Sequence, residues 1–296
     1  MRTTRIAATL VIGTVMAVIL AACGAGSSGS SDAEPGSNKS VTIAVVPGWD
    51  EDLVVSHLWK YVLDEKGYDV SFQELDAAPM YIGLAKGDVD LYMDMWLPQT
   101  HGDYWKQYGD DIVDVGAWYD QATLNIAVPD YVDVTSIADL KGKAAEFDGK
   151  IVGIEPGAGL TRVTEQAIKD YGLDGFTLET SSTPAMLTEL KRATEAKKPI
   201  VVTLWHPHWA YSAFPIKDLT DPKGAMGKPD KAHIGASQDF AKSNPEVIEA
   251  MKTFKMSDKE LADLEKVALQ DHPDDVEAGT KAWAEQNKEF VDGMMN

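Results

Sequence analysis

The strongest constraint on this chain is an alternation of short apolar runs with helix-period segments, which appears once before residue 128 and begins again after it. Residues 41–46 form a continuous run rich in β-branched side chains, the pattern of a strand covered on both faces. Asp50 then stands where a helix cap is expected. Leu53, Val54, His57, Leu58, Tyr61 and Val62 recur at helical spacing, and Gly67 marks the end. A strand near 68–72, a helix near 80–86 and a strand near 89–93 complete a β-α-β-α-β series. Such a series predicts a parallel sheet with right-handed crossovers. Residues 124–128 read as one more strand, stopped by Pro129-Asp130.

The second series reads as strand 150–154, helix 160–171, strand 176–180, helix 184–196 and strand 200–204. No residue-level repeat accompanies it; only the architecture recurs. From 233–235 onward the pattern is helical. Pro245 opens one helix, Ser257-Asp258-Lys259-Glu260 is a capping box for another, and a last helix is expected over 274–294 with Trp283 in the core. A length of 296 residues suits two such α/β lobes better than one core. Two lobes joined by chain crossings leave a cleft between them, where small ligands bind and hinges close. The expected division is 41–126 with 233–296 for lobe I and 127–232 for lobe II.

The formal charge of −20 argues against nucleic acid as a partner. A sole cysteine forbids an intrachain disulfide, and its place is informative. Arg2 and Arg5 give a basic start, residues 6–20 an apolar core, and Leu20-Ala21-Ala22-Cys23 a processing site. This resembles a bacterial lipoprotein signal, with 1–22 removed and Cys23 left as the lipidated first residue. An ordinary secretory signal is the alternative; a membrane helix fits less well, because the run is short and a Gly/Ser tract follows. More than one acyl chain on Cys23 anchors stably where a single chain holds marginally. Residues 23–40 are Gly, Ser, Asp, Glu and Pro with little to bury, a flexible tether.

Met93-Asp94-Met95-Trp96-Leu97-Pro98-Gln99-Thr100-His101 places an indole and an imidazole five positions apart. Pro98 cannot continue a helix and biases Leu97 away from the αR region, so Trp96 and His101 are expected on a loop at a strand's end. Alone, such a Trp reads as a buried edge. Two more share the setting: Trp49 in Pro47-Gly48-Trp49-Asp50 and Trp205 in Thr203-Leu204-Trp205-His206-Pro207. Ile154-Glu155-Pro156-Gly157-Ala158-Gly159-Leu160-Thr161 follows a strand and opens a helix, where backbone N–H groups can meet an anion. It lacks the Lys-Ser/Thr pair of a phosphate loop and by itself is equally a plain tight turn. In company these features suit a zwitterion. Indole faces attract a cation that has no hydrogen-bond donor, and backbone amides with His101 hold a carboxylate.

At these residues the chain resembles the glycine betaine-binding proteins of ABC importers, within the type II periplasmic-binding-protein fold. The resemblance runs from about residue 41 to the C-terminus. It rests on Gly48-Trp49, Trp96-Leu97-Pro98-Gln99-Thr100-His101, Pro156-Gly157-Ala158-Gly159-Leu160 and Trp205-His206-Pro207-His208-Trp209. It implies an aromatic box of Trp49, Trp96 and Trp205 round a quaternary ammonium. The amides of Gly159 and Leu160, with His101, would take the carboxylate. It also implies a permease partner, a lipid anchor on the extracytoplasmic face, a monomer, and no cofactor. Choline or carnitine is the alternative ligand.

Rival readings of the same residues stay open at this point. His206 and His208 could be two metal ligands, but no cysteine or nearby carboxylate pair completes the set, so loop histidines are expected. Trp209 reads as packing, and Trp105 as a surface residue near the cleft. Asp94 reads as a hydrogen-bonding support or a contact to a ligand hydroxyl. An enzyme would lack a nucleophile elbow, a metal set and a cofactor loop here. An adhesion or structural lipoprotein would not need three tryptophans at strand ends.

Overall fold

The chain's computed structural model describes residues 39–295; the expected signal segment, Cys23 and the tether as far as residue 38 lie outside the described residues. Strand β1 (Ser40–Val45) leads to helix α1 (Asp50–Glu65), β2 (Asp69–Glu74), α2 (Ala77–Lys86) and β3 (Leu91–Leu97). Helix α3 (Gly102–Tyr108) follows, then a long strand β4 (Ile112–Pro129). The second series is β5 (Lys150–Val152), α4 (Gly159–Tyr171), β6 (Thr177–Glu179), α5 (Thr183–Glu195), β7 (Val202–His206), α6 (Ala210–Ala213) and β8 (Ile216–Asp218). Strand β9 (Asp230–Ser237) precedes helices α7 (Gln238–Ser243), α8 (Pro245–Thr253), α9 (Asp258–Glu265), α10 (Val276–Gln286) and α11 (Lys288–Gly293).

The strands line up as β2-β1-β3-β9-β4-β7-β5-β6, with β8 on β4. Within each series the pairs are parallel, β1 with β2 and β3, and β5 with β6 and β7. The whole is mixed rather than purely parallel, because β9 runs antiparallel to both β3 and β4, and β7 and β8 run antiparallel to β4. β4 joins the two sets: its first part pairs with β9 and its last part, from Thr123, with β7 and β8. Only 124–128 reads as strand in the sequence. The register along β9 slips three times before that point, and each slip erases the two-residue alternation by which a strand is recognised.

Every residue of β3 is buried, as expected of a central strand covered on both faces. The loop expected around Trp96 does not form; β3 continues through Trp96 and Leu97 and pairs with Ala232 and Lys231 of β9. The residue before a proline favours extended backbone, so Pro98 prolongs the strand to its own doorstep instead of cutting it short. Asp50 is not a cap either. Trp49 holds the N-cap position without a side-chain hydrogen bond, and Asp50 is the first helical residue. The far end follows expectation: Gly67 takes φ +80° directly after the last turn, and Tyr68 N–H returns to the Leu63 carbonyl. The single C-terminal helix expected over 274–294 divides at Asn287, whose side-chain amide and backbone N–H both bond the Trp283 carbonyl. Trp59, Trp118 and Trp283 are core residues, and the Ser257–Glu260 capping box is formed.

Candidate ligand-binding site

The six expected residues, Trp49, Trp96, His101, Gly159, Leu160 and Trp205, line one cavity. Glu51, Asp94, Thr100, Leu124, Ile154 and Ala158 complete the wall. The residues come from distant segments. Trp49 precedes α1, Trp96 lies near the end of β3, Trp205 lies in β7 opposite Leu124 of β4, and Gly159 and Leu160 open α4.

All three indoles are at least nine-tenths buried, and their ring nitrogens meet different fates. Trp96 Nε1 donates to Asp94 Oδ1 at 2.7 Å, which fixes the plane of that ring. Trp49 Nε1 and Trp205 Nε1 are buried without a hydrogen-bond partner. Trp49 stacks on His101, with centroids 5.6 Å apart and planes within 8°. Tyr81 meets the same imidazole edge-on at 5.6 Å.

The turn from Leu97 to His101 is held from outside the motif. Asp230, at the start of β9, accepts Gln99 N–H at 2.9 Å, Thr100 N–H at 2.7 Å and the Thr100 hydroxyl at 2.6 Å. The turn closes on itself when Trp96 N–H donates to His101 Nδ1 at 3.0 Å. Burial, with the charge of Arg162 adding to it, lowers the His101 pKa to about 3, so the imidazole is neutral. With Nδ1 accepting, the ring proton resides on Nε2, which is left as a donor.

The start of α4 comes unusually close to this turn. A Cβ on Gly159 would stand 2.2 Å from the Thr100 carbonyl oxygen, so no other residue fits. The N–H groups of Gly159 and Leu160 open the helix and have no partner inside it, and the helix dipole makes that end attractive to an anion. Further contacts tie the same two regions. Arg162 donates to the Gln99 and Thr100 carbonyls at 3.1 and 3.3 Å and pairs with Asp103 at 3.1 Å, while Tyr104 donates to the Gly157 carbonyl at 2.8 Å.

Two buried acids complete the site, and one of them carries no mark in the sequence pattern. Glu51 sits in the first turn of α1, where an acid is ordinarily a response to the helix dipole. Here it is buried against the cavity. Burial, then the charge of Asp94, push its pKa well up, and the Trp205 indole N–H pulls the other way. Burial raises Asp94 to about 7 against the lowering effect of the Trp96 hydrogen bond.

His206 and His208 turn to separate partners. His206 Nε2 bonds Asp218 at 2.8 Å, and His208 Nδ1 accepts Ala210 N–H at 3.0 Å. Among the described residues, no group of three or more His, Cys, Asp or Glu side chains could hold a metal ion. Trp209 does more than pack, since its indole N–H donates to the Asp50 carboxylate and links the end of β7 to α1. Trp105 is half-buried and does not line the cavity.

Residues 39–286 match the OpuAC family, the substrate-binding domain of ABC-type glycine betaine transport systems. The chain belongs to this family. It is similar to the glycine betaine/carnitine transport binding protein GbuC of Listeria monocytogenes, 36% identical over 153 residues. That match takes in 51% of this chain and 50% of the relative, so it spans about half the length of GbuC. Two solved structures share the fold over most of the chain. The glycine betaine/L-proline-binding protein ProX of Borrelia burgdorferi has a TM-score of 0.82 and 31% identity, over 87% of this chain and 97% of that one. Lactococcal OpuAC, in its closed-liganded conformation with glycine betaine, has a TM-score of 0.81 and 30% identity, over 87% and 99%. The fold is therefore the two-lobed α/β periplasmic-binding-protein fold. The OpuAC family serves transport, not catalysis, and among the described residues no helix is long and apolar enough to cross a membrane.

Proposed function

We propose that this chain captures glycine betaine, or a closely related quaternary-ammonium zwitterion, outside the cytoplasm and delivers it to the permease of an ABC importer. The observation that supports this most is the convergence of three indoles, a neutral imidazole and a helix N-terminus on one small cavity. Trp49, Trp96 and Trp205 form the box round the trimethylammonium, each face contributing about 2 kcal/mol or more when desolvated. His101 Nε2 and the Gly159 and Leu160 amides take the carboxylate, and a hydrogen bond to such a charged partner contributes roughly 1.5–3 kcal/mol. Lobe I comprises 41–126 and 233–296, lobe II comprises 127–232, and the ligand is held between them.

A choline or carnitine receptor of the same importer class is the second reading. It is favoured by the two buried acids, Glu51 and Asp94, that line the cavity without a positive partner. Isothermal titration with glycine betaine, choline, carnitine and unrelated amino acids separates the readings. Tight one-to-one binding of betaine with weaker choline supports the first; preference for choline supports the second. Binding of none of the quaternary ammonium compounds would end both.

Attachment is part of the proposal. Residues 1–22 act as a lipoprotein signal, lipid on Cys23 anchors the protein to the outer face of the cell membrane, and 23–40 tether a monomer to it. Detergent phase partitioning tests this: the processed protein should enter the detergent phase and Cys23→Ala the aqueous phase. Identical partitioning of the two would contradict the anchor.

A further inference from the structure

One feature of the cavity is not required for holding a zwitterion. Glu51 Oε2 and Asp94 Oδ2 are buried from solvent with no hydrogen-bond partner, and both side chains line the ligand cavity. No lysine or arginine shares that lining. The positive charge that neighbours the lining, Arg162 of α4, is engaged by the Gln99 and Thr100 carbonyls and by Asp103. Asp52 of α1 is spent on Val46 N–H and the Ser56 hydroxyl, and Glu265 of α9 adds another buried acid. Tyr81 of α2 and Tyr92 of β3 are phenols that burial keeps protonated, and His101 is neutral. The indole N–H of Trp96 is already given to Asp94 Oδ1, and that of Trp205 lies beside Glu51.

Two buried carboxyls that line one cavity without a lysine or arginine in its wall disfavour each other's charge, so the ligand-free site retains a proton on the pair. A trimethylammonium in the aromatic box brings in a permanent positive charge that cannot donate a hydrogen bond. We propose that the Glu51/Asp94 pair exchanges this proton for the ligand's cationic head, so that capture of the ligand releases a proton to solvent. The inference rests on the betaine reading above and adds to it a pH-dependent affinity. The balance is simple: the ligand enters with its charge unchanged, one carboxyl O–H is broken, and the proton leaves to the buffer.

The sign follows from linkage. A reaction that releases one proton weakens as protons become abundant, by about tenfold per pH unit while the release is complete. Titrating the intact protein with glycine betaine at several pH values, in phosphate and in Tris, reads the proton count from the difference in heat. Betaine suits the purpose because its ammonium cannot titrate. The expected result is proton release on binding that is largest near and below neutrality and fades at higher pH, where the ligand-free site has already lost its proton, with a dissociation constant that rises as pH falls from 8 to 6. The double variant Glu51→Gln/Asp94→Asn should abolish the release and flatten the pH profile, since no cavity carboxyl then remains to give up a proton. Asp94→Asn still offers an acceptor to Trp96, so the box is kept. A merely structural role for Glu51 would change affinity equally at every pH and leave the proton count of the variant unchanged, which would overturn the proposal. Betaine binding with no proton exchange in the parent would overturn it too and leave the betaine reading standing. No betaine binding in either buffer would remove both.

Discussion

The backbone N–H of Trp96 donates to Nδ1 of His101 at 3.0 Å, so the residue that presents an indole to the cavity also dictates which nitrogen of the imidazole carries its proton. The five-residue spacing visible in the sequence is thus one closed turn. Its consequence is a fixed Nε2–H donor on an imidazole that lines the same cavity as Gly159 and Leu160. Asp230 braces the turn through three hydrogen bonds from a strand that lies 130 residues away in sequence.

The aromatic box should respond to chemistry more than to size. Trp205→Ala removes a π-face and its packing, and betaine affinity should fall by roughly thirtyfold, the equivalent of about 2 kcal/mol. Trp205→Phe should restore part of it, because a face remains. Isothermal titration compares the three proteins; an alanine variant that binds like the parent would contradict the assignment.

Closure should be visible and should depend on Arg162. That side chain reaches from α4 to the Gln99 and Thr100 carbonyls of the turn that follows β3, and to Asp103. Betaine should reduce the radius of gyration seen by small-angle scattering, since a ligand touched from both sides favours the closed state. Arg162→Ala loses two hydrogen bonds worth about 1 kcal/mol each, so release followed by tryptophan fluorescence should quicken by about tenfold or more. An unchanged radius at saturation would contradict closure.

Stability of the ligand-free protein should fall as pH rises from 6.5 to 8.5. Burial raises Asp94 to about 7, Glu265 to about 8, and Glu51 and Asp52 well above the ordinary carboxylate range. Their unfolded counterparts, near 4, are fully ionised throughout this window, so the folded state binds more protons and loses stability as they are removed. Below 6.5 three histidines pull the other way, because His57, His101 and His208 are held neutral, with pKa values of about 4, 3 and 3. Thermal melts across the window check the sign, and Glu265→Gln should flatten the slope. A melting temperature that climbs with pH would contradict it.

The fold's two-part alternation and six of the twelve residues that line the cavity were legible in the sequence, for reasons that are local. Buried strands, helix spacing and the Trp-to-His turn each declare themselves within a dozen residues. What was hidden is long-range. The antiparallel passage of β9 between β3 and β4, and the slips of register along β4, depend on pairings that no local window contains. Glu51 has the appearance of any acid in a first helical turn until the packing of Asp94 and Trp205 is known. Asp230 and Arg162 act on backbone groups, and backbone partners leave no mark on side-chain pattern.

The central claim is that one cavity recognises both ends of a zwitterion, and His101→Ala tests it most directly. Titrating parent and variant with glycine betaine and with choline isolates the carboxylate end. Both ligands carry the same ammonium head, so any disturbance of Trp96 by the lost Nδ1 contact weakens both and cancels in their ratio. Betaine affinity should fall by about tenfold to over a hundredfold, the worth of a hydrogen bond to a charged partner, while choline affinity changes much less and the preference narrows. Equal losses for the two ligands would contradict it, reducing His101 to a support for the turn and making choline the ligand to test next.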